Sequence, residues 1–132
     1  MIFLINTNWG ISAFLQNKVS VVVLFFFLAA GGSLLRLGFQ NSGRWSKPAG
    51  TFVANIIASF LLGVLLGGSP SAESATVIGT GFLGSFSTFS TVMMEVSDEV
   101  EGNRKLIATS YLCLSIIAGV AAAFLGLEVG AQ

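Results

Sequence analysis

Few side chains in this 132-residue chain could do chemistry, and most of them are uncharged. Asn55 stands in one apolar run, Glu95 closes another, and Tyr111 and Ser115 lie four residues apart in a third. Between them runs Gly79-Thr80-Gly81-Phe82-Leu83-Gly84-Ser85-Phe86-Ser87-Thr88-Phe89-Ser90-Thr91, glycines followed by alternating hydroxyl and phenyl groups. With no histidine and one cysteine, zinc, heme and Cys–His catalysis have nothing to draw on. Cys113, within an apolar run, reads as a small packing residue. An enzyme is the least supported class, because no nucleophile–base pair or metal-ligand cluster is available. The remaining chemistry is that of neutral donors. The amide of Asn55 could strip water from an anion and still release it, or it could simply tie two helices together.

The medium for that chemistry is lipid. The chain is 54% hydrophobic and 9% charged, with a mean hydropathy of +0.87. Soluble domains carry about 25% charged residues, so a membrane protein is the natural class. The length suits one domain of four spans, each of about 20 residues. The formal net charge is zero, and no basic patch invites nucleic acid.

The expected organisation is an interfacial N-terminal segment over residues 1–18 and a single four-helix transmembrane domain over 19–128. Trp9 is a candidate interfacial anchor, and with Lys18 as the first basic residue no signal peptide is indicated. The spans are expected at residues 19–39, 49–68, 74–96 and 106–127. Gly31, Gly32 and Ser33 give the first span a small-residue face, as Ala58, Ser59 and Gly63 give the second. Pro48 suits a first turn. Arg36 could anchor the first span at the headgroups or guide an anion into a vestibule.

The third span is where a helix should fail. Glycine costs roughly 1 kcal/mol of helix propensity per site, and Ser and Thr compete for backbone hydrogen bonds. In hydrocarbon a broken helix survives only where protein or a water-filled cavity covers it, so a break at mid-membrane points to an ion or substrate site. In the fourth span Tyr111, Ser115 and Gly119 share one face. They could form a polar track, or Ser115 could bond its own helix while Tyr111 reaches the interface. Arg44, Lys47, Arg104 and Lys105 lie on one side with Arg36 nearby, against Lys18 alone on the other. The positive-inside rule makes the first side cytoplasmic, with both termini outward and one fixed orientation.

Three stretches together resemble the Fluc (CrcB) family of fluoride channels. They are Gly-Phe-Leu-Gly-Ser-Phe-Ser-Thr-Phe-Ser-Thr at 81–91, Thr-Phe-Val-Ala-Asn at 51–55, and Gly-Gly-Ser-Leu-Leu-Arg at 31–36. The resemblance covers all four spans in order. It implies a small channel of the bacterial inner membrane that exports fluoride passively, built as an antiparallel dimer with two pores and a central structural sodium ion (Na+). On the matching positions, the resemblance assigns the sodium to backbone carbonyls of Gly84 and Ser87. It assigns the fluoride pathway to Arg36, Thr51, Asn55, Phe89, Tyr111 and Ser115, with Glu95 closing the third-span motif.

Two positions depart from the family pattern. Val92 stands where a second pore phenylalanine is expected, and Gly119 where the polar track should continue. A valine offers an anion no positive ring edge, and a glycine no hydroxyl. These departures and the basic bias fit the family's two-gene members, so the expected partner is a homologous subunit of opposite topology in a heterodimer. Two other readings stay open. One is a non-conducting structural subunit. The other is a proton-coupled exporter of the small multidrug type, which would need a membrane-embedded carboxylate in span one, where none stands.

Overall fold

The computed structural model describes the backbone at residues 6–41, 43 and 46–132, and within these the side chains from Asn17 onward. Arg44, Trp45, the Trp9 side chain and residues 1–5 lie outside the described residues. All described elements are helical, and four stretches are long and apolar enough to cross a membrane: Asn17–Gln40, Lys47–Gly67, Ala72–Glu101 and Lys105–Gly130. The protein is thus an all-α membrane protein with a bent third span.

Helix α1 (Asn6–Gln40) forms despite its β-branched and aromatic core. In hydrocarbon every backbone polar group must find a partner within its own segment, and that requirement outweighs propensity. The helix begins within the segment expected to be interfacial and runs into span one without interruption. Helix α2 (Lys47–Gly67) carries Pro48 in its first turn, where a missing N–H costs little. Helix α6 is Lys105–Gly130.

The third span is assembled from four pieces. After α3 (Ala72–Ser74) comes a π-helix (Ala75–Leu83), then α4 (Gly84–Phe86), and past a gap α5 (Phe89–Glu101). The glycines do not unwind the chain. Instead the turns widen, with the Gly84 N–H donating to the Gly79 carbonyl five residues back. Widening keeps backbone groups paired where opening would strand them in lipid. The opening comes later, at Ser87 (φ −79°, ψ 157°) and Thr88 (φ −156°, ψ 117°), both extended. The far end also differs from expectation. The charged stretch Asp98–Glu101 continues α5, and the chain turns only at Gly102 and Asn103, the latter at φ 60°. Asparagine tolerates that left-handed conformation better than most residues.

Packing depends on small residues. A Cβ on Gly126 would land on the Phe60 carbonyl oxygen, and one on Gly63 on that of Ala123, so α2 and α6 meet backbone to backbone. Gly32 lets α1 approach the Phe82 carbonyl in the same way. Where α1, α2 and the third span meet, Ala54, Ala58 and Phe86 form a small core, flanked by Phe39 and Ile57. The Phe39 and Phe86 rings pack edge to face at 5.5 Å. Large apolar side chains such as Phe27, Leu106 and Phe124 face outward, as a lipid-facing or partner-facing surface requires.

Candidate functional site

Thr51 and Asn55 are one turn apart on the same face of α2, and each reaches across to the third span. Asn55 meets the break. Its Nδ2 donates to the Thr88 carbonyl at 3.0 Å, and its Oδ1 accepts the Thr88 N–H at 2.6 Å. One neutral side chain thereby supplies the acceptor that the Thr88 N–H loses where the helix breaks, and adds a donor to the Thr88 carbonyl. Thr88 in turn caps α5, its Oγ1 accepting the Thr91 N–H at 3.3 Å and contacting the Ser90 and Thr91 hydroxyls at 3.1 Å.

Beside the break lies a cavity of about 280 Å³. Asn55, Ser59, Ser87, Thr88, Phe89, Val92, Ser115 and Gly119 contribute to its walls, with Ile116 and Val120. It therefore sits at the N-terminal end of α5, the positive end of that helix's dipole. Phe89 is 62% exposed at the rim, whereas Val92 is 1% exposed within the wall. The Ser115 Oγ is buried and makes no hydrogen bond among the described residues. A buried hydroxyl without a partner costs about 1–3 kcal/mol, so Ser115 is a donor held in reserve. Ser115 makes no bond to its own helix; its hydroxyl lies near that of Tyr111 one turn earlier, outside hydrogen-bond geometry, while Tyr111 donates its proton to Glu95.

Glu95 accepts from two hydroxyls. Thr51 donates to Glu95 Oε1 at 2.7 Å and Tyr111 donates to Oε2 at 2.6 Å. Gln40 Nε2 donates to the Thr51 hydroxyl at 3.1 Å. The carbonyls of Lys47 and Pro48 lie 3.2 Å from Thr51 and Tyr111, longer alternatives for hydroxyls with one proton each. Thr51 is fully buried behind Glu95 and lines neither cavity. Glu95 itself borders a second cavity of about 400 Å³, with Gln40, Asn41, Lys47, Thr91, Asp98 and Glu99 among its lining. Arg36 is half-buried and belongs to neither lining.

The remaining site residues are Gly84 and Ser87. In an unbroken helix the Gly84 carbonyl would accept the N–H of Thr88, but that N–H points at Asn55. Gly84 and Ser87 border a small cavity of about 60 Å³ with Ala58, Ser59, Leu62 and Leu83. Among the described residues no cluster of three acidic, Cys or His side chains could hold a metal, so a cation here would take backbone oxygens.

Sequence reasoning picked out Asn55, Phe89, Val92, Ser115 and Gly119, and the fold gathers them around one cavity. Glu95, Thr51 and Tyr111 form a separate node. Ser59 was read only as a small packing residue, yet it borders both the large and the small cavity by the break. Its position one turn after Asn55 was the available signal. Gln40 and the Thr88 backbone carried no such signal.

Fold and site together define a four-span membrane protein that carries a cavity of neutral donors at a broken helix. Residues 23–127 match the family model described as CrcB-like protein, Camphor Resistance (CrcB). The chain is 37% identical over 111 residues to a protein of Streptococcus pneumoniae named Fluoride-specific ion channel FluC 1, covering 81% of this chain and 98% of that one. It is 34% identical over 110 residues to a Geobacillus kaustophilus protein of the same name, covering 79% and 95%. With the Fluoride-specific ion channel FluC of Oceanobacillus iheyensis it shares 38% identity over 121 residues, covering 86% and 92%. The chain belongs to the CrcB-like family. That membership sets the exporter and enzyme readings aside.

Proposed function

We propose that this chain is a subunit of a fluoride channel that lets fluoride leave the cytoplasm passively. The observation that carries the reading is the cavity at the N-terminal end of α5, with Asn55, Phe89 and the unpartnered Ser115 hydroxyl on its walls. A dehydrated anion there meets the positive end of a helix dipole, a free donor and a positive ring edge, with no fixed cation to trap it. Relatives named as fluoride-specific channels supply the identity of the ion. In this reading Tyr111 and Ser115 form the span-four polar track. Thr51 acts from behind by holding Glu95, and Arg36 raises the local anion concentration at the mouth.

The same reading places a structural sodium ion at a dimer interface, on the backbone carbonyls of Gly84 and Ser87. The Gly84 carbonyl, deprived of its helical partner, is the kind of hard oxygen such an ion takes. The basic bias of the loops argues for one orientation, with both termini outside the bacterial inner membrane, and hence for an antiparallel heterodimer with a homologous subunit of opposite topology.

A second reading is favoured by Val92 and Gly119, which leave the cavity without a second ring and a second hydroxyl. In that reading the chain completes its partner's pore and conducts through none of its own. Fluoride efflux from liposomes separates these cases. Efflux with this chain and its partner but not with either alone supports the heterodimer, and retention of efflux when this chain carries Asn55→Asp supports the structural subunit. Efflux from this chain alone would overturn the heterodimer. No efflux from folded protein in any combination would overturn the channel reading.

A further inference from the structure

We infer that Asn55 is a positioning residue for the sodium site as well as a wall of the anion cavity, because its clamp on Thr88 keeps the Gly84 carbonyl free. The inference rests on the sodium reading above. In a continuous helix the Thr88 N–H would close on the Gly84 carbonyl four residues back. Here that N–H is held at 2.6 Å by Asn55 Oδ1, and the Thr88 carbonyl is held at 3.0 Å by Nδ2. Two bonds from one rigid amide fix the rotation of the Thr88 peptide units, and Thr88 is itself buried. The amide thus decides which group Thr88 serves. With Asn55 in place, the Thr88 N–H is withheld from the Gly84 carbonyl, and Gly84 and Ser87 both border the small cavity beside the break. Without the acceptor, the Thr88 N–H is free to take its helical partner, the Gly84 carbonyl, by turning Ser87 from its extended conformation into the helical one, and the turn would tighten over the cation's ligand.

The two halves of the clamp can be tested separately. Asn55→Asp keeps the acceptor for the Thr88 N–H, loses the donor to the Thr88 carbonyl and places a negative charge on the anion cavity. Asn55→Ala and Asn55→Leu remove donor and acceptor together, so their difference from Asp reads the acceptor, and Leu also preserves the bulk. The readout is the sodium concentration that half-saturates thermal stabilisation of the purified, lipid-reconstituted channel assembly, with fluoride efflux measured alongside. Asn55→Asp should abolish efflux while leaving half-saturating sodium within about twofold of the unmodified chain. The acceptor-less variants should raise it about tenfold, the effect of losing roughly one hydrogen bond. Helical content at saturating sodium identifies any variant that has failed to fold, and either Ala or Leu suffices.

Equal half-saturation in all variants, with sodium dependence intact, would overturn the inference while leaving the sodium site standing. So would an Asp variant that shifts as far as Ala or Leu. A lack of sodium dependence in the unmodified assembly would overturn the sodium reading and this inference with it. The two failures therefore look different.

Discussion

The α2 helix pins the third span at two places, and the two pins are built differently. At Thr88 the pin is an uncharged amide bonded to backbone, and beside it lies a cavity of about 280 Å³. At Glu95, two turns further along, the pin is a carboxylate closed on both oxygens by short hydroxyl bonds, with Thr51 fully buried behind it. The first leaves a donor, the Ser115 hydroxyl, without a partner. Among the described residues, the second leaves no buried side-chain donor without one. An ion moving through hydrocarbon needs groups that can switch partners at little cost, whereas a fold needs groups that cannot. In the proposed reading, transport belongs to the break and rigidity to Glu95 and Thr51, with Tyr111 shared between them as a donor to Glu95 that stands one turn from Ser115, although both pins rest on the same face of α2.

Breaking the node should show in stability. Glu95→Ala is expected to lower the unfolding free energy by about 2 kcal/mol in a lipid-reconstituted thermal or denaturant titration. The cost stays moderate because Thr51 and Tyr111 have backbone carbonyls at 3.2 Å to fall back on. The ends of the buried chain of bonds would still need to rearrange. A loss of efflux with unchanged stability would instead move Glu95 into the transport group and weaken the comparison.

Phe89→Ile should do the reverse. The ring is 62% exposed at the cavity rim, so its loss costs little packing. Removing a positive ring edge from the path should slow efflux about tenfold, which corresponds to roughly 1.4 kcal/mol. The melting temperature should stay the same. Thr51→Val tests the node more gently. It removes a hydroxyl that accepts from Gln40 and donates to Glu95, in a residue with no exposure. A loss of about 1 kcal/mol of stability is expected, with efflux preserved. Efflux that falls as far as in Phe89→Ile would place Thr51 on the pathway itself.

How much of this was legible beforehand differs along the chain. Four spans followed from apolar run lengths alone, because lipid imposes one solution on the backbone. The existence of a break in the third span was legible from its glycines and hydroxyls, and the family resemblance set it at Gly84 and Ser87, but local propensity alone did not give its position. The glycines at 79, 81 and 84 stayed helical by widening, and the chain opened at Ser87 and Thr88. The opening falls where a side chain from another helix supplies the missing hydrogen bonds, and that depends on the register between α2 and the third span. No local propensity encodes such a register. For the same reason Asn55 could be singled out by its isolation in an apolar run, while its partner could not. Glu95, Thr51 and Tyr111 were each marked by polarity, yet nothing in their spacing across three helices joined them.

Gly119 is the finest test of the contrast, because it lies on the open side and concerns a group that is absent. A Cβ there would sit 3.6 Å from the Ser59 Oγ, an ordinary contact, so the position does not hold the close α2–α6 approach that Gly126 does. Gly119→Ser should therefore fold as well as the unmodified chain, and exchanging glycine for serine in a helix interior is mildly favourable. Its hydroxyl would stand one turn beyond Ser115, within the same cavity wall. An added donor should raise fluoride efflux about threefold in the conducting assembly, roughly the effect of 0.6 kcal/mol on a barrier. Unchanged efflux would show that the polar track on α6 does not limit this pore, leaving Val92 to account for any impairment. A drop in melting temperature would show instead that the bare backbone at Gly119 serves packing, and the wall of the cavity would then be as rigid as the node around Glu95.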